Sequence, residues 1–158
     1  MNIFAIDPGN EYSAYCIMND QYELIEFAKL LNKEVMRAIC EKRSQIDKIV
    51  IERVASYGMP VGREVFETCE WIGRFTQEAG ERKTHYVYRK DEKIALCNSM
   101  KATDANIRQA LIDRFAKFDL KNGKGTKKNP DVFYGVSKDM WSSIAIAVTW
   151  IDKLNEGK

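Results

Sequence analysis

The chain is 158 residues long, which fits one domain with enough apolar material for a sizeable core. Hydrophobic residues make up 45% and charged residues 30%, a balance that excludes intrinsic disorder. The formal net charge of +2 neither demands nor excludes a nucleic-acid partner, so local clustering must decide.

Cys16, Cys40, Cys69 and Cys97 stand far apart with no paired spacing, and His85 is the only histidine, which argues against a Cys/His zinc site. The opening Met-Asn-Ile-Phe-Ala-Ile-Asp lacks a basic start and meets a carboxylate early, unlike a signal peptide. No run approaches the roughly 18 apolar residues of a membrane span. The thiols read as reduced, and the protein as cytoplasmic, in a bacterial cell or a phage-infected host.

Ile3-Phe4-Ala5-Ile6 is a continuous apolar run stopped by Asp7-Pro8-Gly9-Asn10, the pattern of a strand buried on both faces. Tyr12 to Met18 and Tyr22 to Ala28 flank the polar Asn19-Asp20-Gln21 turn and complete an antiparallel meander. Asn32 can cap a helix reaching about Arg43, with Val35, Met36 and Ile39 on one stripe. Lys48-Ile49-Val50-Ile51 is a second apolar run and ends in Glu52. After a loop with Gly58 and Pro60, an amphipathic helix is expected from about Val61 to Ala79, stopped by Gly80.

His85 to Tyr88 reads as a further strand and Asp91 to Leu96 as a short helix. Thr103 can cap a helix bearing Ile107, Leu111 and Phe115. A lysine-rich loop from Lys121 to Asn129 follows, then a last helix from about Lys138 to Leu154. The condensed order β-β-β-α-β-α-β-α-α implies an α/β fold: a mixed five-stranded sheet, helices on both faces, one domain over 1–158.

Three acids hold informative positions: Asp7 at the end of the first strand, Glu52 at the end of the fourth, and Asp139 opening the last helix. In open α/β sheets ligands gather at strand ends, and carboxylates collected there repel unless a cation neutralises them. Hard oxygen donors select Mg2+, with Mn2+ as a substitute, and two such ions about 4 Å apart can drive phosphodiester hydrolysis. Each acid also has a structural alternative: Asp7 shapes a Pro-Gly turn, Glu52 is an exposed strand end, and Asp139 complements a helix dipole. Their joint placement, not any one of them, points to chemistry.

These segments resemble the RuvC-type Holliday-junction resolvases, especially phage and prophage versions. Phe4-Ala5-Ile6-Asp7-Pro8-Gly9 is similar to the family's first catalytic strand, and Ile49-Val50-Ile51-Glu52 to the strand bearing its second acid. Lys101-Ala102-Thr103-Asp104-Ala105-Asn106-Ile107 resembles the start of a late helix. Asp139, followed by Ser143-Ile144-Ala145-Ile146-Ala147-Val148-Thr149, resembles the final helix with the third acid. The resemblance spans nearly the whole chain. It implies an RNase H-like fold, a homodimer, and Mg2+-dependent paired nicking of four-way DNA junctions, with Asp7, Glu52 and Asp139 as catalytic metal ligands.

The sequence departs from the bacterial pattern in one place. A second aspartate expected three residues after Asp139 is Ser142, which shares its helix face and can hold a metal-bound water. Otherwise Glu67, Glu70 or Asp104 substitutes, or the second ion binds loosely. A nuclease of the same superfamily acting on RNA or other branched DNA, and a junction-binding protein with weakened catalysis, are the competing readings.

Lys121, Lys124, Lys127 and Lys128 form a basic, glycine-punctuated loop able to follow phosphates, or one simply solvated. Arg89, Lys90 and Lys93, with Lys101, form a second basic group after the fifth strand. Between Glu52 and the long helix lie Arg53, Tyr57 and Met59. In the resembled family this region approaches the junction centre, so Tyr57 or Met59 could act as an unstacking wedge, the alternative being ordinary loop packing. The helix from Val61 to Ala79, with Phe66 and Trp71 available, reads either as a dimer surface or, as such stripes more often are, simply as core. His85, Trp141 and Trp150 read as packing residues.

Overall fold

The computed structural model describes all 158 residues. Five strands, β1 (Asn2–Asp7), β2 (Tyr12–Asn19), β3 (Leu24–Leu31), β4 (Lys48–Arg53) and β5 (Thr84–Tyr88), form one sheet in the order β3-β2-β1-β4-β5. The meander β1-β2-β3 is antiparallel, whereas β1-β4 and β4-β5 are parallel, giving the expected mixed sheet. Five α-helices complete the chain: α1 (Asn32–Glu41), α2 (Arg63–Ala79), α3 (Arg89–Cys97), α4 (Asp104–Phe115) and α5 (Met140–Glu156).

Period-two alternation along the central strands divides the core in two. Phe4 and Ile6 of β1, with Ile49 and Ile51 of β4, pack beneath α1 and α2 around Val35, Ile39, Ile72 and Phe75. Ile3 and Ala5, with Val50 and Val87, face the other side and meet Ile107, Leu111, Ile144, Val148 and Ile151 of α4 and α5. Helices therefore cover both faces. No helix is long and apolar enough to cross a membrane, and the four cysteines are unbridged.

Three local expectations change. Tyr22 belongs to a turn rather than to β3: its φ is 65° and its N–H donates to Asn19 O, so the strand starts at Leu24. Asn32 does not cap α1. Its side chain is buried, accepting from Ser13 Oγ at 2.5 Å and donating to Gly9 O at 2.9 Å, while Leu31 takes the cap position with no side-chain bond. Three helices follow β5, one more than the condensed order carries and as the segments taken singly implied; the short one expected over Asp91–Leu96 extends to Arg89–Cys97, where Asp91 Oδ2 accepts the Tyr88 N–H at 2.9 Å.

Candidate active site

Strand register assembles the first half of the site. Asp7 pairs with Ala14, and Ala14 pairs in turn with Lys29. On the other side Ile6 pairs with Ile51, so Asp7 and Glu52 come side by side one step further on. Asp7 continues the face of Ile3 and Ala5, and Glu52 that of Val50; both therefore look toward α5. Lys29, Asp7 and Glu52 thus form one row across the carboxyl edge of the parallel strands.

The turn after Asp7 is held tightly. A Cβ on Gly9 would lie 2.2 Å from Tyr12 O, so only glycine fits there. The Gly9 N–H donates to Ser13 Oγ at 3.1 Å, and Asn32 holds the Gly9 carbonyl. The buried Ser13–Asn32 pair therefore fixes the backbone that carries Asp7.

Asp139 comes from the N-terminal end of α5 and is half-exposed; Lys29 Nζ donates to its Oδ2 at 2.5 Å. Burial pushes the Asp7 carboxyl up to about 8, and the charges of Glu52 and Asp139 push in the same direction against Arg89 and Lys29. Asp7 therefore feels the charges of both other acids named from the sequence. Ser142 lines a small cleft together with Asp139, Arg89 and Asp104.

One acid at this edge is absent from the sequence reading. Glu92, in the first turn of α3, is fully buried. Its Oε2 accepts from Arg89 Nη1 at 2.6 Å, and Oε1 has no hydrogen-bond partner. Burial raises Glu92 above the usual carboxylate range, and the neighbouring charge of Glu52 raises it further. Burial likewise raises Glu52, against Arg89. Glu92 escaped notice because Arg89-Lys90-Asp91-Glu92-Lys93 looks like a solvated charge run. The available signal was positional: β5 runs parallel to β4, with Glu52 opposite Val87, so the turn after Tyr88 must overhang Glu52.

The acids offered as substitutes for the missing aspartate divide. Asp104 reaches the rim, its exposed carboxylate paired with the other guanidinium nitrogen of Arg89. Glu67 is held by Arg63 at 2.5 Å and by Asn10 Nδ2 at 3.4 Å, and Glu70 is exposed on α2. Arg89 differs from its expected place in a basic patch: it sits among the acids, with its guanidinium committed to Glu92 and Asp104.

Five carboxylates (Asp7, Glu52, Glu92, Asp104 and Asp139) thus face two cations, Arg89 and Lys29. No three His, Cys, Asp or Glu side chains form a closed ligand group, since Asp139 leans to Lys29 and Glu92 to Arg89. The donor set still suits a hard divalent cation. It is all oxygen, partly dry, short of positive charge, and contains an orphaned buried oxygen.

The remaining basic residues lie around this edge and beyond it. Lys90 is exposed, Lys93 half-buried, and Lys101 exposed just before α4. Arg53, at the end of β4, lies over the Tyr86 ring with its guanidinium carbon 4.5 Å from the centroid. Tyr57 and Met59 are 62% and 71% exposed in the loop after β4, which leaves the phenol ring and the thioether free to touch a partner. Lys121, Lys127 and Lys128 are exposed and Lys124 half-exposed, but their loop is more tightly tied than its glycines suggest. Asp119 accepts the N–H groups of Asn122, Lys124 and Gly125, and Asp131 those of Lys117, Phe118, Asp119 and Val132.

No protein-family model and no curated protein matches the chain. Solved structures do. Thermus thermophilus RuvC superposes with a TM-score of 0.67 at 15% identity, covering 99% of this chain and 97% of the other. The same protein in complex with a Holliday junction substrate gives 0.70 at 12% identity, covering 99% and 96%. The chain has the RuvC fold. Fowlpox virus resolvase, solved with substrate Holliday junction DNA, is similar at a TM-score of 0.56 and 19% identity, covering 98% and 99%. The RuvC fold is an RNase H-like α/β architecture, as the family resemblance implied, and its mixed sheet is the one the order of strands and helices predicted. Its near-complete coverage in both directions leaves no large insertion on either chain.

Proposed function

We propose that the protein is a metal-dependent endonuclease that resolves four-way DNA junctions by paired nicking as a homodimer. The observation that carries this reading is the row of Asp7 and Glu52 at the parallel strand ends, faced by Asp139, in a fold whose solved examples include two bound to Holliday junction DNA.

Asp7, Glu52 and Asp139 would hold Mg2+ or Mn2+, which supplies Lewis-acid stabilisation of charge on the phosphate and its leaving oxygen. The chain's own residues do the positioning. Rigid central strands fix Asp7 and Glu52, the Ser13–Asn32 pair clamps the turn behind Asp7, and α5 presents Asp139. Lys29 at this edge, and Lys90, Lys93 and Lys101 on and after α3, would supply charge suited to phosphates, and the Lys121–Lys128 loop would add a sequence-independent backbone contact. Tyr57 and Met59 are available to lie against unstacked bases at the junction centre.

A nicking assay on a synthetic four-way junction with Mg2+, using duplex DNA and structured RNA as controls, tests the reading. The wild type is expected to cut the junction in preference to both controls. Asp7→Asn should keep junction binding and lose nicking by at least about 10²-fold, the scale of removing one transition-state charge contact. Wild-type cleavage by that variant would remove the proposed centre, and better cleavage of RNA would move the protein to another substrate class.

A further inference from the structure

We propose that Glu92 is the fourth carboxylate of the metal site, supplying from α3 the acid that α5 lacks at Ser142. The inference rests on the metal-dependent reading above and names a ligand for the second ion.

Glu92 is 0% exposed, and a carboxylate so placed needs partners for both oxygens. Oε2 has one in Arg89, whereas Oε1 has none. The two ordinary duties of an acid in a first helical turn are already met. Asp91, not Glu92, closes the capping box on the Tyr88 N–H, and Arg89 has a second carboxylate in Asp104. Capping therefore does not explain why a carboxylate is buried here.

Its surroundings supply an explanation. Parallel pairing of β4 and β5 sets Glu52 opposite Val87, so the first turn of α3 begins immediately above Glu52. The carboxyls of Glu52 and Glu92 stand against each other, with Asp7 the next charge along. Two acids meeting in a dry place need a shared proton or a cation between them. A divalent ion there gains Oε1 as a ligand and removes the repulsion. Ser142, neutral and in the cleft with Asp139, offers no comparable charge. The element that carries the fourth acid has moved from the last helix to the turn after β5, while the acid remains at the same edge of the sheet.

Calorimetric titration of the full-length protein with Mn2+ alone reads ligation without reference to activity. Wild type is expected to bind two ions per chain, and Glu92→Gln to lose one or bind it at least about tenfold more weakly. Gln keeps the shape and can still accept from Arg89, and melting in chelator checks that the variant folds. Adding Ser142→Asp to Glu92→Gln is expected to recover the second ion, a rescue that a purely structural role for Glu92 does not produce. Should the Gln variant fail to fold, Glu92→Asp keeps the charge but withdraws it by one methylene, and it is expected to weaken the same ion.

Unchanged stoichiometry and affinity in the folded Glu92 variant, or a single ion in wild type, overturns the role of Glu92 and leaves the three-acid centre standing. No Mn2+ binding by wild type, or unaltered binding in Asp7→Asn, overturns the centre and Glu92 together.

Discussion

Lys29 occupies a carboxylate that the proposed metal centre needs. It stands in the same cross-strand row as Asp7, and its ammonium donates to Asp139 at 2.5 Å, with both side chains partly open to water. An ion pair in that setting contributes less than about 1 kcal/mol to stability. A divalent cation at the proposed centre would nonetheless compete with Lys29 for Asp139. Lys29→Gln is therefore expected to leave the melting temperature almost unchanged and to raise Mn2+ affinity, both measurable on one preparation by scanning and titration calorimetry. Weaker Mn2+ binding would mean that Lys29 positions Asp139 rather than competing for it. Residues of this kind were invisible in the sequence. Asp7 and Glu52 could be read because each ends an apolar run, but Lys29 and Glu92 lie within mixed stretches, where only strand register and helix phase reveal the facing partner.

At the scale of elements, the central strands were legible because burial on both faces leaves little choice but continuous apolar runs. Segments ordered by single polar side chains were not. Asn32 has the composition of a helix cap yet is turned inward to tie Gly9 and Ser13, a tertiary contact that overrides local preference. The lysine-rich loop is the larger case. Its composition suggests a solvated connector, but Asp119 accepts three of its backbone N–H groups, and Asp131 accepts four more from the residues that flank it. Gly123 and Gly125, at φ of 71° and 64°, have no room for a side chain. Although burial opposes it, the backbone donors around Asp131 hold its carboxyl well below the usual range. A group whose folded pKa is depressed contributes stability above its unfolded pKa and loses it as pH falls. Asp131→Asn should therefore lower the melting temperature at neutral pH. It should also flatten the decline of wild-type stability below about pH 4, where an unperturbed aspartate takes up its proton. Melting curves from pH 7 down to 2 check both. Identical acid profiles for wild type and variant would mean that the loop is ordered by something else.

At the scale of the whole molecule, one chain carries one acid cluster, and the paired cuts proposed for it would need two. The second half of α2 is anchored: Ile72, Phe75 and Ala79 are buried against the sheet. Its first half is not, since Phe66 is 61% exposed, with Cys69 exposed on the next turn and Val61, just before the helix, 37% exposed. An apolar stripe that leaves the core midway along a helix is where a second copy would be expected to pack. Phe75→Ala would cost about 3–5 kcal/mol of folding stability, as for any large core truncation. Phe66→Ser, by contrast, should keep the protomer's fold within about 0.5 kcal/mol, the range of exposed sites. Its expected effect is on assembly: sedimentation velocity should show the dimer replaced by monomer. On a cruciform plasmid the linear product of paired nicks should give way to singly nicked circles. A Phe66→Ser protein that remains dimeric and still linearises the cruciform would place the interface elsewhere. Single nicks from a protein that remains dimeric would instead separate pairing of cuts from pairing of chains.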